Sequence, residues 1–232
     1  MGRSGSIPSI VRPRSLVEDV AARLSEAIFE GRLAPGRPIG ETELQRELGI
    51  SRAPLREALL KLEGQGLVQI VPHKGAFVRS MSPRRIRELF TVRAWLEGLA
   101  ARLTVERGDD AVCGRLEAIL ADMAALAAGG RFKEYFYRHW DFHHAFHESC
   151  GNEELAARIA SLRRESLWLS FSVTYFAHRH AQAQTTHRCI VELFRAGVPE
   201  QVELAVRGHI LEAADSYARF LQETYPEVAG SA

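Results

Sequence analysis

Cysteine is scarce in this chain of 232 residues: only Cys113, Cys150 and Cys189 occur, widely spaced and with no C-x-x-C pair. That excludes a disulfide scaffold and fits reduced thiols in a cytoplasmic protein. Long apolar runs are also missing. A membrane span needs roughly 20 apolar residues, and the nearest stretch, Ala118 to Ala128, is interrupted by Asp122. The opening residues are rich in Ser, Pro and Arg without an apolar core, so no targeting segment is expected, only a flexible tail over residues 1–14. A large excess of either charge is absent too, the net charge being +1. This balance hides a modest asymmetry, because residues 1–80 carry 12 Lys+Arg against 9 Asp+Glu and residues 81–232 carry 18 against 20. A slightly basic head and slightly acidic body fit an N-terminal nucleic-acid module, and the length allows two domains with separate cores.

The stretch from Leu44 to Val78 is the most informative part of the chain. Leu44 to Leu48 reads as the end of a short helix, and Gly49 can close it with a positive φ. Ser51 then stands at an N-cap position, with Pro54 in the first turn, where a missing N–H is harmless. Leu55, Leu59 and Leu62 form an inward stripe. Arg52 and Arg56 are four residues apart and so share one face near the helix N-terminus. That placement suits a recognition helix whose guanidinium forks reach base edges and phosphates in a major groove. Beyond Gly64-Gln65-Gly66, the pattern predicts a strand over 67–71, a turn at Pro72-His73-Lys74-Gly75 and a return strand over 76–79. The turn tip, with His73, Lys74 and Gly75, suits a wing lying along a phosphate backbone.

These residues resemble the winged-helix domain of the GntR family of bacterial transcription regulators, over about Leu16 to Arg79. The resemblance rests on Gly31-Arg32-Leu33-Ala34-Pro35-Gly36, on the Ser-Arg-x-Pro-x-Arg-Glu-Ala-Leu signature from Ser51 to Leu59, and on Gly66-Leu67-Val68. It implies that Ser51, Arg52, Arg56, Thr42, Arg46, His73, Lys74 and Gly75 form the surface that meets double-stranded operator DNA. Thr42 is a departure, since some members carry an operator-contacting arginine there. Taken alone, Arg52 and Arg56 also fit a solvated helix face, and Glu57 beside Arg56 fits an orienting ion pair.

The rest of the chain reads as helices alone. Ser82-Pro83 is an N-cap followed by proline at the first helical position. Leu89, Val92, Leu96, Leu99 and Leu103 then keep helical spacing. Breaks are expected at Gly108, Gly129-Gly130, Gly151-Asn152, near Gln182-Ala183-Gln184 and at Gly197-Val198-Pro199. The predicted architecture is therefore mainly α: a winged helix-turn-helix over 15–80, an antiparallel all-helical bundle of about six helices over 81–225, and a tail over 226–232.

Histidine placement is the second informative feature, because eight of the nine lie in the helical body. His139, His143 and His147 are spaced by four and line one helix face. His187 and His209 come from two later helices. Neutral imidazoles converging from three helices make a transition-metal site, although any one of these residues alone fits a surface or satisfied core histidine as well.

The body resembles the helical FCD ligand-binding domain of the fatty-acid-regulator branch of the GntR family, over roughly residues 83–222. The residues that carry this are Arg93-Ala94-Trp95-Leu96-Glu97, Phe142-His143 before Gly151-Asn152, and His187 and His209 either side of Ala196-Gly197. In many members an aspartate and three histidines hold a divalent metal that helps bind a carboxylate effector. His143, His187 and His209 fall on the histidine positions, but His139 stands in place of the aspartate, one turn before His143. Asp141 is two residues from His143 and points to another helix face. Three alternatives follow: an all-imidazole site completed by His139, a three-histidine site with water, or no metal. An all-nitrogen set favours zinc, nickel or cobalt over manganese or magnesium.

Arg93 fits two roles, a bidentate clamp on an effector carboxylate or an ion pair with Glu97 one turn on. Trp95, Tyr135, Phe136, Trp140, Trp168 and Phe171 read mostly as core rather than a ligand box. The expected function is a homodimeric, ligand-responsive DNA-binding regulator, more often a repressor, that senses a small organic acid at a site holding zinc or nickel. A metal-responsive regulator with no organic effector is the alternative. A metal-dependent hydrolase is disfavoured, because His143-His144-Ala145-Phe146-His147 has zincin spacing without the glutamate, and no nucleophile elbow or phosphate-binding glycine loop occurs.

Overall fold

The computed structural model describes residues 15–108, 110–166 and 173–229. The expected tail over 1–14 and the aromatic residues Trp168 and Phe171 lie outside the described residues. The chain opens with α1 (Leu16–Phe29), held by a capping box in which the Ser15 hydroxyl accepts from the Glu18 N–H and the Glu18 carboxylate accepts from the Ser15 N–H. A short α2 (Glu41–Leu48) ends at Gly49, whose φ of 64° satisfies the left-handed cap. Helix α3 (Arg52–Gly64) follows, then β1 (Val68–Val71) and β2 (Gly75–Val78), paired antiparallel with Val68 opposite Val78. The segment before α2 adds a third rung to this wing: the Ile39 N–H donates to the Ala76 carbonyl, and the Val78 N–H to the Arg37 carbonyl. Leu55, Ala58, Leu59 and Leu62 of α3 are buried, as their spacing predicts, against Val20, Leu24 and Ile28 of α1.

The body consists of α4 (Pro83–Glu106), α5 (Asp110–Ala128), α6 (Phe132–Ser149), α7 (Glu153–Glu165), α8 (Val173–Ala196) and α9 (Pro199–Thr224). The local signals act as expected at α4, where the Ser82 hydroxyl accepts from the Arg85 N–H, and at α7, where the Asn152 side chain caps Leu155. The expected break near Gln182-Ala183-Gln184 does not occur, and α8 runs straight through it. Gln and Ala are good helix formers and no Gly or Pro interrupts them. The polarity there faces a cavity instead of a loop. Where a tail was expected from residue 226, Pro226–Ala229 form a short α10, and Glu227 pairs with Arg37 of the head at 2.9 Å.

Helix α4 does not bury all of the apolar residues whose spacing marked it as a helix. Val92 and Leu99 are 49% and 40% exposed, whereas Arg93 and Glu97 are buried with Ile86, Leu89, Phe90 and Ala94. Trp95, read as core, is 54% exposed and lies under the Arg207 guanidinium of α9, 3.3 Å from the ring centroid. This arrangement follows from close packing of α4 on α9. Gly98 permits it, since a Cβ there would stand 3.1 Å from the Glu203 carbonyl and 2.5 Å from Arg207 Cγ.

Head and body share one continuous apolar core. Besides the Arg37–Glu227 pair, two contacts tie α6 and α7 to the head. Phe29 of α1 packs edge-on to Phe136 of α6, with rings 6.1 Å apart, and Lys133 of α6 bonds Glu26 of α1 at 2.9 Å. At the second, Gly66 passes so close to the end of α7 that a Cβ would sit 2.9 Å from the Arg164 carbonyl.

Candidate functional site

Two groups of residues identified in the sequence form two separate sites. The first is a surface of the head. Arg52 and Arg56 project from the exposed side of α3 and make no ion pair among the described residues, so Glu57 does not hold Arg56. Ser51 occupies the N-cap position but its hydroxyl makes no cap hydrogen bond, unlike those of Ser15 and Ser82. It stays free to donate to an external acceptor. Thr42 and Arg46 are exposed on α2. At the wing tip the Lys74 N–H donates to the Val71 carbonyl, which closes a turn with Pro72 first and His73 second. His73 takes φ 61° at a position that favours glycine, and Gly75 takes φ 94°. Pro72, His73 and Lys74 are exposed, while Gly75 is half-buried against Glu41 of α2. The face therefore offers three arginines, a lysine and a free hydroxyl, with the apolar stripe of α3 turned away from it.

The second site lies inside the body. His139 and His143 of α6, His187 of α8 and His209 of α9 each present a ring nitrogen, and these atoms all lie within 4.8 Å of one another. His143 and His187 are fully buried, His209 nearly so, and His139 is half-buried on the cavity wall. Burial pushes the pKa of His139, His143 and His187 well below the ordinary histidine value, and that of His209 to about 4. All four are neutral at pH 7 and have lone pairs to give. Neither ring nitrogen of His187 has a hydrogen-bond partner. Burying such a group without a partner costs about 1–3 kcal/mol. Around a metal with bonds near 2.0–2.1 Å, tetrahedral ligand nitrogens stand about 3.3 Å apart, so the four need close in by little more than an ångström. The donor set therefore fits a transition-metal ion. Asp141 instead pairs with Arg138 at 3.0 Å, away from the cluster.

A buried carboxylate, that of Glu97, which the sequence offered as an ion-pair partner of Arg93, sits behind this cluster. Glu97, fully buried, accepts from the Arg93 Nε at 2.8 Å through Oε1. Its Oε2 faces His147 Nε2 at 3.1 Å, His143 Nδ1 at 3.4 Å and Arg163 at 3.5 Å. Burial alone would raise its pKa, but Arg93 and the other cationic groups outweigh this and hold the carboxyl well below the usual range. Burial pushes His147 to about 4, so at pH 7 the carboxylate owes its charge to the two arginines. Glu97 thus lies behind His143, where an outer carboxylate stands for metal-bound imidazoles, although its Oε2 and His143 Nδ1 make no hydrogen bond at 3.4 Å. Of the two roles considered for it, Arg93 takes the ion pair with Glu97, and it also lines the cavity. His147 turns to Glu97 rather than joining the four.

The cavity, about 70 Å³, is bounded by Arg93, His139, Trp140, His143, Arg163 and His209, with Gln182 and Thr186 of α8 on another side. It thus opens beside the histidine cluster. Tyr135 and Phe136 are core residues as expected, and Trp140 is the aromatic wall of the cavity. Arg163 carried no motif that sequence alone exposes, and Glu97 was named only as a partner for Arg93. The nearest signal was the Arg93–Glu97 spacing of four.

Comparison with known proteins follows this division. The profile for bacterial regulatory proteins of the gntR family matches residues 16–78, and that for the FCD domain matches residues 88–212. The "Probable D-xylose utilization operon transcriptional repressor" of Paenarthrobacter nicotinovorans is 30% identical over 186 residues, 79% of this chain and 80% of that protein. The "HTH-type transcriptional repressor RspR" of Escherichia coli is 25% identical over 195 residues, 82% of this chain and 84% of its own. Among solved structures, McbR/YncC of E. coli aligns with a TM-score of 0.64 at 20% identity, covering 90% of this chain and all of the other, which shows a common fold. No helix among the described residues is long and apolar enough to cross a membrane.

Proposed function

The chain belongs to the GntR family of bacterial transcription regulators, with an FCD domain as its body, and from that premise we propose how it senses and reports. It is a DNA-binding regulator and not an enzyme. In our reading it is a repressor, in line with the printed names of its relatives, that binds a two-fold symmetric operator as a homodimer. Each head would place α3 in the major groove, with Arg52 and Arg56 on base edges and phosphates and Ser51 on a phosphate. Thr42 and Arg46 of α2, and His73, Lys74 and Gly75 of the wing, would lie along the backbone.

His139, His143, His187 and His209 would hold a divalent transition metal, zinc or nickel before manganese or magnesium. Such an ion supplies an anchor for a carboxylate. The observation that carries this reading is His187: a fully buried imidazole with no partner for either nitrogen, set among three others. Arg93 and the cavity wall would meet the remainder of a small organic acid. Helix α6, which carries His139 and His143, and α7, which carries Arg163, also touch the head. A ligand favouring one packing of these helices would favour one arrangement of the two heads, to the extent of its differential affinity for the two states.

Native mass spectrometry of untagged protein purified without chelator, together with selection from a random double-stranded library, tests this. The expected result is a dimer with one zinc or nickel ion per subunit and an enriched site with two-fold symmetry. A monomer, or an enriched motif without symmetry, would refute the operator reading. Undiminished metal content in His187→Ala would refute the metal assignment.

A further inference from the structure

We infer that Arg163 is the specificity-determining residue of the cavity, placed to receive the second acidic group of a short dicarboxylate whose first group meets the histidine cluster. This rests on the reading of the cavity as an effector site. Arg163 is 5% exposed, lines the cavity, and has no hydrogen-bond partner for its Nε or Nη1. Its neighbour Arg93 is in a different position: it holds Glu97 Oε1 from Nε and Nη2, both at 2.8 Å, and donates to the Ser166 hydroxyl at 3.0 Å. One guanidinium is satisfied and the other is not.

Charge points the same way. Within this buried group stand two guanidiniums, those of Arg93 and Arg163, and one carboxylate, that of Glu97. Glu97 meets Arg163 only at 3.5 Å, through the oxygen that also faces His143 and His147. A buried excess of positive charge is unfavourable unless an anion balances it. The Trp140 ring lies 4.1 Å from the Arg163 guanidinium carbon and fixes its plane, which readies the fork for a planar acceptor.

The unbalanced guanidinium calls for an acidic group of its own, besides the one that meets the histidine cluster. Arg163, His139, His143 and His209 line the same cavity of about 70 Å³, so a short acid can span from the cluster to the guanidinium. A monocarboxylate would satisfy one end and leave the other unpaired, the circumstance in which a polar site discriminates strongly.

Calorimetric titration of the full chain, nickel-loaded and metal-free, with malonate, succinate and butyrate tests this. On the nickel-loaded protein the better dicarboxylate should bind at least about tenfold tighter than butyrate. Arg163→Gln should erase that preference while nickel stoichiometry stays unchanged, and Arg163→Lys, which keeps the charge but not the fork, should restore part of it. Butyrate binding as tightly as either diacid, or a preference that survives Arg163→Gln, would overturn the assignment. Should nickel not bind at all, the metal reading fails by itself. The metal-free comparison then decides the role of Arg163: weaker succinate binding in Arg163→Gln supports it, and equal binding overturns it. If Arg163→Gln does not fold, the diacid-to-butyrate ratio of the unaltered chain is decisive in either direction.

Discussion

Replacing Glu97 by glutamine should destabilise the metal-free protein by about 3–5 kcal/mol, the usual consequence of removing one partner from a buried ion pair. The substitution preserves volume and one acceptor oxygen, so packing changes little and the charge is what is lost. Two guanidiniums depend on that charge. Arg93 meets it at 2.8 Å, where the attraction amounts to about 6 kcal/mol at an effective dielectric constant near 20, before desolvation is subtracted. Arg163 meets it at 3.5 Å with less favourable geometry. Both arginines are nearly buried, so neither can turn to water for compensation. The expected loss is a large part of the roughly 5–15 kcal/mol of a typical domain.

Urea unfolding at pH 7.5 of chelator-treated protein, followed by circular dichroism, measures this directly. A second readout separates charge loss from general damage. Glu97 faces His143 Nδ1 at 3.4 Å, so the same variant should bind nickel about 10–100-fold more weakly, as expected when an outer-shell carboxylate is removed. A destabilisation below about 1 kcal/mol would refute the claim that Glu97 neutralises the buried guanidiniums. Unchanged nickel affinity would refute its role behind His143.

Other substitutions test the remaining sites. Arg56→Ala should weaken operator binding by about 1–3 kcal/mol if the side chain makes a bidentate base contact, and fluorescence anisotropy that finds operator affinity unchanged would exclude that contact. His187→Ala should change sign with metal. It should be close to neutral without metal, because an unpartnered buried imidazole is removed, but with metal at a hundredfold excess over Kd it should forfeit about 2.7 kcal/mol of ligand stabilisation. Thermal melts with and without nickel would show it, and an equal shift in both would argue against ligation. Acid should destabilise the metal-free protein well above the carboxylate range. His147 and His209 titrate at about 4 when folded and near 6.5 when unfolded, so the unfolded chain takes up protons first. Their contribution is complete above pH 6.5 and falls away towards pH 4, by about 2 kcal/mol each at pH 5. Urea midpoints that stay flat between pH 7.5 and 5 would contradict this. Gly66→Ala should cost about 1–3 kcal/mol, from a φ of 80° and the closeness of the Arg164 carbonyl, with a lowered melting temperature as the readout.

The head was legible because its signals are local: a left-handed glycine cap, an N-cap serine, a proline in the first turn and a period-two wing. Each acts within a few residues of itself. The histidine cluster was legible in part because His139 and His143 share a helix face, although His187 and His209 join them only through the packing of three helices. Arg163, and the burial of Glu97 beside it, were hidden for the opposite reason. On α4, Val92 and Leu99 continue an apolar spacing that points outward, and the buried face carries Arg93 and Glu97 in its place. Burial of a charge is set by its partners, and Arg163 comes from a helix more than sixty residues further along. The Gln182 region misled similarly, since polar residues facing a cavity mimic the composition of a loop.

Residues of the cavity also stand next to the contacts that join body to head. Phe136, which packs on Phe29 of α1, lies three residues before His139 on α6, about 4.5 Å along the helix axis. Arg164, whose carbonyl abuts Gly66 between α3 and β1, directly follows Arg163 on α7. A ligand drawing His139 and Arg163 together would thus pull on two helices whose ends grip the head at two separate points. A close-packed interior does not absorb such a displacement by compressing, so it must reappear as a rotation of the head or as a lost contact. Allosteric couplings of 1–3 kcal/mol change affinity roughly 5–150-fold. A single buried contact such as Phe29 on Phe136, kept in one arrangement and lost in the other, has an energy of that order.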